Sequence, residues 1–91
     1  MRGKRLKGGD YLSFTENIIQ KVWDKGKVIP EHDENIYRKD DYNSLMLRHA
    51  YRNRTSGYGW EIDMIDPNGG DSIKNLRPLQ WKNLVNKKML K

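Results

Sequence analysis

A chain without cysteine, in which only 35% of residues are hydrophobic, must gather its core around its largest side chains. Here the candidates are Trp23, Trp60 and Trp81, supported by five tyrosines and one phenylalanine. Neither a disulfide nor a thiolate zinc site can brace the fold. At 91 residues the chain suits one small domain. Small domains lacking such braces often depend on a partner, so burial in a larger assembly is one route to stability. No apolar run is long enough to span a membrane, and the start has no apolar segment of signal-peptide type. An intracellular or virion setting is the expectation.

The first ten residues read as a flexible basic arm, rich in glycine and without a hydrophobic period. Residues 11–91 read as the folded part. A helix is predicted from Tyr11 to about Lys25, with Ser13 and Glu16 at capping-box spacing and Ile18, Ile19, Val22 and Trp23 on one face. Gly26 is its expected stop. Val28 to Tyr37 reads as irregular, because Pro30 biases Ile29 away from helix. Arg38 to Leu47 reads as a hairpin turning at Asp41-Tyr42-Asn43-Ser44, where Asn43 tolerates a left-handed conformation. Arg48 to Gly57 is polar and reads as a loop. Trp60 to Ile65 alternates as a strand, and Pro67-Asn68-Gly69-Gly70-Asp71 is a loop signal. Pro78 limits Asn75–Leu79 to a brief second strand. Gln80 to Met89 is helical in pattern, with Trp81, Leu84, Val85 and Met89 sharing a face. The fold class is α+β: one small domain with an N-terminal helix and hairpin, closing in β–loop–β–α order.

The net charge of +6 favours anionic partners, nucleic acid first. Arg2, Lys4, Arg5 and Lys7 load the N-terminus; Lys82, Lys87 and Lys88 load the last helix; Arg52 and Arg54 lie between. These nine are the candidate phosphate contacts. Their plainer alternative is a solvated surface. His32 and His49 stand apart in polar segments without ligand spacing and read as surface residues.

The stretch Gly59-Trp60-Glu61-Ile62-Asp63-Met64-Ile65, followed by Pro67, Gly69-Gly70, Asn75-Leu76-Arg77-Pro78-Leu79 and Trp81-Lys82-Asn83, resembles the HNH nuclease signature. Val22-Trp23, Ile29-Pro30, Tyr37-Arg38-Lys39-Asp40 and Tyr58-Gly59 look like the lead-in of one branch of that family, so the resemblance covers about Val22 to Lys88. It implies a ββα unit, preceded by a helix and hairpin, that grips one divalent metal beside a scissile phosphate.

Carried over residue by residue, the resemblance implies that Asp63 is the metal-ligating aspartate and Asn75 the asparagine that braces the loop. Met64 stands where the family has its general-base histidine, and a thioether cannot accept a proton near neutral pH. Leu84 stands where the branch has its second metal-ligating asparagine or histidine, and Gln80 where histidine often precedes tryptophan. Losing a positioned general base costs about 10²–10⁴-fold in rate. Magnesium prefers octahedral oxygen coordination, so Asp63 alone is a poor site even with Asp66 or Asp71 nearby. The expectation is therefore no intact catalytic residue, no cofactor beyond a weak claim of Asp63 on Mg²⁺, and no nuclease activity. The leading function is a degenerate HNH-like domain that binds nucleic acid, DNA rather than RNA, or a nucleoprotein. Two alternatives are a small structural subunit of a virion, polymerase or ribosome-like particle, with protein partners, and an active metal-dependent endonuclease with rearranged ligands.

Overall fold

The computed structural model describes residues 14–89, the last two by backbone alone. Helix α1 (Glu16–Trp23) is followed by a hairpin of β1 (Tyr37–Lys39) and β2 (Leu45–Leu47). Next come β3 (Trp60–Met64), β4 (Leu76–Gln80) and helix α2 (Trp81–Met89), with 3₁₀ turns at Arg48–Ala50 and Ile73–Asn75. Both sheets are two-stranded and antiparallel, so the α+β class and the element order expected from sequence hold.

Thr15 opens α1: its hydroxyl accepts the Ile18 N–H at 3.2 Å. The helix thus starts at Glu16; Tyr11 and Ser13 lie outside the described residues. The stop comes at Trp23, where Arg38 reaches the end of the helix. This guanidinium, 7% exposed, donates to the carbonyls of Asp24, Gly26 and Glu34, each at 3.0 Å. Gly26 lets it approach, since a Cβ there would lie 3.1 Å from Arg38 Cβ.

The amphipathic face of α1 buries Ile19, Val22 and Trp23 against Met46, Trp60 and Leu76, with Met64 and Tyr51 packed around them. The Trp60 ring lies 5.2 Å from Trp23 and 4.9 Å from Tyr51, and each indole N–H finds a carbonyl: Glu34 for Trp23, Arg48 for Trp60. Trp81 is only half-buried, its N–H bonded to the Ser56 carbonyl at 2.9 Å. The Arg48–Gly57 segment is more ordered than a polar loop, because Arg52 N–H bonds Trp60 O at 2.7 Å and Gly59 packs against it. A Cβ on Gly59 would fall 1.9 Å from the Asn53 carbonyl oxygen, so only glycine fits.

The β3–β4 ladder runs five residues, longer than Pro78 suggested. Terminal bonds from Ile65 N–H to Asn75 O and from Trp81 N–H to Gly59 O set the alternation. In that register Pro78, opposite Ile62, falls in a non-hydrogen-bonded pair, where its missing N–H costs no ladder bond.

Asp40 joins the hairpin to the rest. Asn43, at φ 67°, takes the left-handed turn position. Asp40 Oδ1 accepts the N–H groups of Tyr42 and Ser44, each at 2.9 Å. Its Oδ2 accepts the Gln80 N–H at 2.9 Å and Asn83 Nδ2 at 2.8 Å. The residue is 1% exposed. Replacing it by alanine strands these donors, at about 1–3 kcal/mol for each that stays buried. Asp40→Ala should therefore lower unfolding free energy by about 3 kcal/mol or more in a urea titration, and Asp40→Asn by less, because one acceptor oxygen is retained.

Candidate functional site

Asp63 and Arg77 face each other across the β3–β4 ladder. Antiparallel partners hold their side chains on one face within reach of each other, and Arg77 Nε donates to Asp63 Oδ2 at 2.8 Å. Helix α2 packs on the same strands and sends down Lys87. Its Nζ lies 2.9 Å and 3.0 Å from the two Asp63 oxygens and 3.1 Å from the Met64 carbonyl. A carboxylate only 4% exposed is thus clamped by two cations, through bonds strengthened by charge on both sides. Arg77 continues the row outward to Asp41 at 3.1 Å, with its guanidinium 5.6 Å from the Tyr42 ring centre. Burial of Arg77 works against its charge. Hydrogen bonds to Asp63, Tyr42 and Asp41 outweigh that burial and raise its pKa, so the guanidinium stays charged.

Asp63, Met64 and Leu84 occupy this β3–α2 contact, whereas Asn75 stands apart in the loop. Leu84 is 6% exposed and offers no ligand atom. Met64, half-buried, packs against the core. The residues do not fit a magnesium ion: both Asp63 oxygens already face cations, and a divalent ion would meet the Lys87 ammonium. Asp66 is no helper, since its Oδ1 accepts the Asn68 N–H at 3.0 Å in a local turn. Among the described residues, no group of three or more His, Cys, Asp or Glu is arranged to hold a metal. Asn75 is the brace expected of it: Oδ1 accepts the Asp66 N–H at 2.9 Å, and Nδ2 donates to the carbonyls of Asp66 and Gly70 at 2.9 Å and 2.6 Å.

The candidate phosphate contacts separate into three groups. Arg2, Lys4, Arg5, Lys7 and the Lys88 side chain lie outside the described residues. Lys82 and Arg52 are exposed on the surface, though neither is without a contact. Arg54 and Lys87 are engaged within the protein. Arg54 forms two bonds to Glu61, at 2.6 Å and 2.9 Å, that raise its pKa, and it sits 5.7 Å from the Trp81 ring centre. For Lys87 to reach a phosphate it would have to leave Asp63, a role the charge count alone could not foresee.

Sequence reasoning passed over Asp40, Arg38 and Arg77. Asp40 carried a local signal, a turn aspartate with acceptors aimed two and four residues ahead. Arg77 did not, because its partner depends on strand register.

Compared with protein-family models, with curated proteins and with solved structures, the chain matches none. No helix among the described residues is long and apolar enough to cross a membrane.

Lys87→Met keeps the unbranched apolar stem but removes the ammonium, leaving Asp63 to Arg77 alone. Chemical denaturation should show a loss of about 1–3 kcal/mol. Millimolar Mg²⁺ or Mn²⁺ should leave the wild-type Tm unchanged; a metal-induced rise abolished by Asp63→Asn would contradict the clamp.

Proposed function

We propose that the chain is a catalytically degenerate HNH-like domain that binds nucleic acid or a nucleoprotein through a basic surface. The observation that carries the loss of catalysis is the Lys87 ammonium within hydrogen-bond distance of both oxygens of Asp63. A nuclease of this type needs that carboxylate open to a metal and a base beside it, but the position of the base is Met64. With both removed, water is neither activated nor held in line with a phosphodiester.

Binding rests on different groups. The excess of positive charge, the exposed Lys82 on the first turn of α2 and the basic residues 2–7 support phosphate contacts made without reading sequence. Ammonium and guanidinium groups on a surface hold a polyanion mainly by releasing its counterions, so affinity of this kind falls steeply with salt.

Two measurements test the reading. Purified protein should leave supercoiled plasmid uncut with Mg²⁺, Mn²⁺ or Zn²⁺; metal-dependent nicking lost in Asp63→Ala would instead favour the active endonuclease. Binding to duplex DNA that engages about five phosphates should give a slope of about −4.5 for log K against log salt. Salt-independent binding, or none, would favour the structural subunit held by protein contacts.

A further inference from the structure

A groove of about 400 Å³ opens between the start of α2, residues 44–45 and residues 57–58, away from the Asp63 clamp. Ser44, Gly57, Tyr58, Lys82, Asn83 and Asn86 line it. Both walls are held from behind. Trp81 Nε1 donates to Ser56 O at 2.9 Å, Gln80 Nε2 donates to Gly57 O at 2.8 Å, and Leu47 N–H donates to Tyr58 O at 3.1 Å. Across the groove, Asn83 Nδ2 is tied to Asp40 and to the Ser44 hydroxyl. Gln80 Oε1 accepts the Lys82 N–H at 2.9 Å, fixing the first turn of the helix. A groove braced in this way needs little ordering when a ligand arrives.

Of the side chains that face it, those of Tyr58, Asn86 and Lys82 make no hydrogen bond or ion pair among the described residues. Tyr58 is 48% exposed, and among the described residues neither its hydroxyl nor the Asn86 amide has a hydrogen-bond partner. Lys82, one helical turn before Asn86 on the same face, has its Nζ 5.7 Å from the Trp81 ring centre and forms no ion pair among the described residues.

We propose that this groove is a subsite for one unpaired nucleotide of a single-stranded nucleic acid, with the base stacked on Tyr58, the phosphate at Lys82 and a base edge at the Asn86 amide and the Asn83 carbonyl oxygen. The proposal rests on the nucleic-acid reading above and refines it. One aromatic face, one cation and neutral amides along one open groove match the parts of a nucleotide. A duplex keeps its bases stacked internally and would offer Lys82 a phosphate without using Tyr58. An acidic peptide would bring several carboxylates to a groove with one cation.

The test is fluorescence anisotropy with a labelled oligothymidylate and with a duplex of the same length. Proteins compared are wild type, Tyr58→Ala, Tyr58→Phe, Lys82→Gln and Lys74→Gln. Lys74 is an exposed control at the opposite end of the β3–β4 ladder from Gln80, and its substitution removes the same charge. Tyr58 and Lys82 are exposed, and a thermal melt of each variant checks that it folds. Tyr58→Ala should weaken single-strand binding by about 5- to 100-fold, the loss of one base stack, while Tyr58→Phe retains it and duplex binding stays unchanged. Lys82→Gln should weaken single-strand binding more than Lys74→Gln.

Wild-type affinity for the single strand in Tyr58→Ala, or equal losses on both probes, would overturn the subsite and leave the basic-surface reading standing. Displacement of the oligothymidylate by a polyglutamate peptide at comparable concentration would overturn it in favour of an acidic protein partner. Failure of wild type to bind either probe would remove both the subsite and the reading on which it rests.

Discussion

The carboxylate of Asp40 receives bonds from its own turn, from the backbone at the β4–α2 junction and from the first turns of α2. The hairpin is only three residues long on each strand, too short to be stable alone. The β3–β4 ribbon is also two-stranded. Each becomes a fixed part of the domain because the same buried anion satisfies donors from both. The aromatic cluster of Trp23, Trp60 and Tyr51 then fills the space that this fastening encloses. In a chain with so little aliphatic material, polar joints and large rings share work that a leucine-rich core performs elsewhere.

What could be read from the sequence was local. Asn43 in its left-handed turn, a strand from Trp60 and the helix after Gln80 follow from residues close in the chain, while the bracing role of Asn75 came from the resemblance. What could not be read depends on partners distant in sequence. Pro78 is harmless only because of the register that places it opposite Ile62. Lys87 reads as one more surface lysine until α2 is laid over β3, which brings it to a carboxylate 24 positions earlier. The resemblance made Asp63 a candidate ligand, and nothing near it in sequence pointed to Arg77, 14 residues later on the opposing strand.

This relocation of charge changes how the basic composition should be understood. Arg38 caps carbonyls at the end of α1, Lys25 donates to the carbonyls of Ile73 and Leu76, and Arg77 and Lys87 neutralise Asp63. A substantial part of the positive charge therefore holds the fold together rather than meeting solvent. The charge available to an anionic partner is more localised than the net value suggests, with Lys82 placed beside an exposed tyrosine at a braced groove.

The bonding pattern of β4 also determines what the domain does not do. An antiparallel strand turns alternate backbone groups away from its partner, and on an unprotected edge those groups recruit another strand. On β4 the outward N–H positions are Leu76, Pro78 and Gln80. The first is turned to the Ile73 carbonyl, the second has no hydrogen, and the third is held by Asp40. The Leu76 carbonyl is covered by Lys25. On β3, Lys87 covers the Met64 carbonyl and Arg52 N–H covers that of Trp60. A ribbon of two strands, which by itself would be an open template for aggregation, is closed along much of its β4 margin and at both ends of its β3 margin, in part by the same proline and lysines that looked incidental in the sequence.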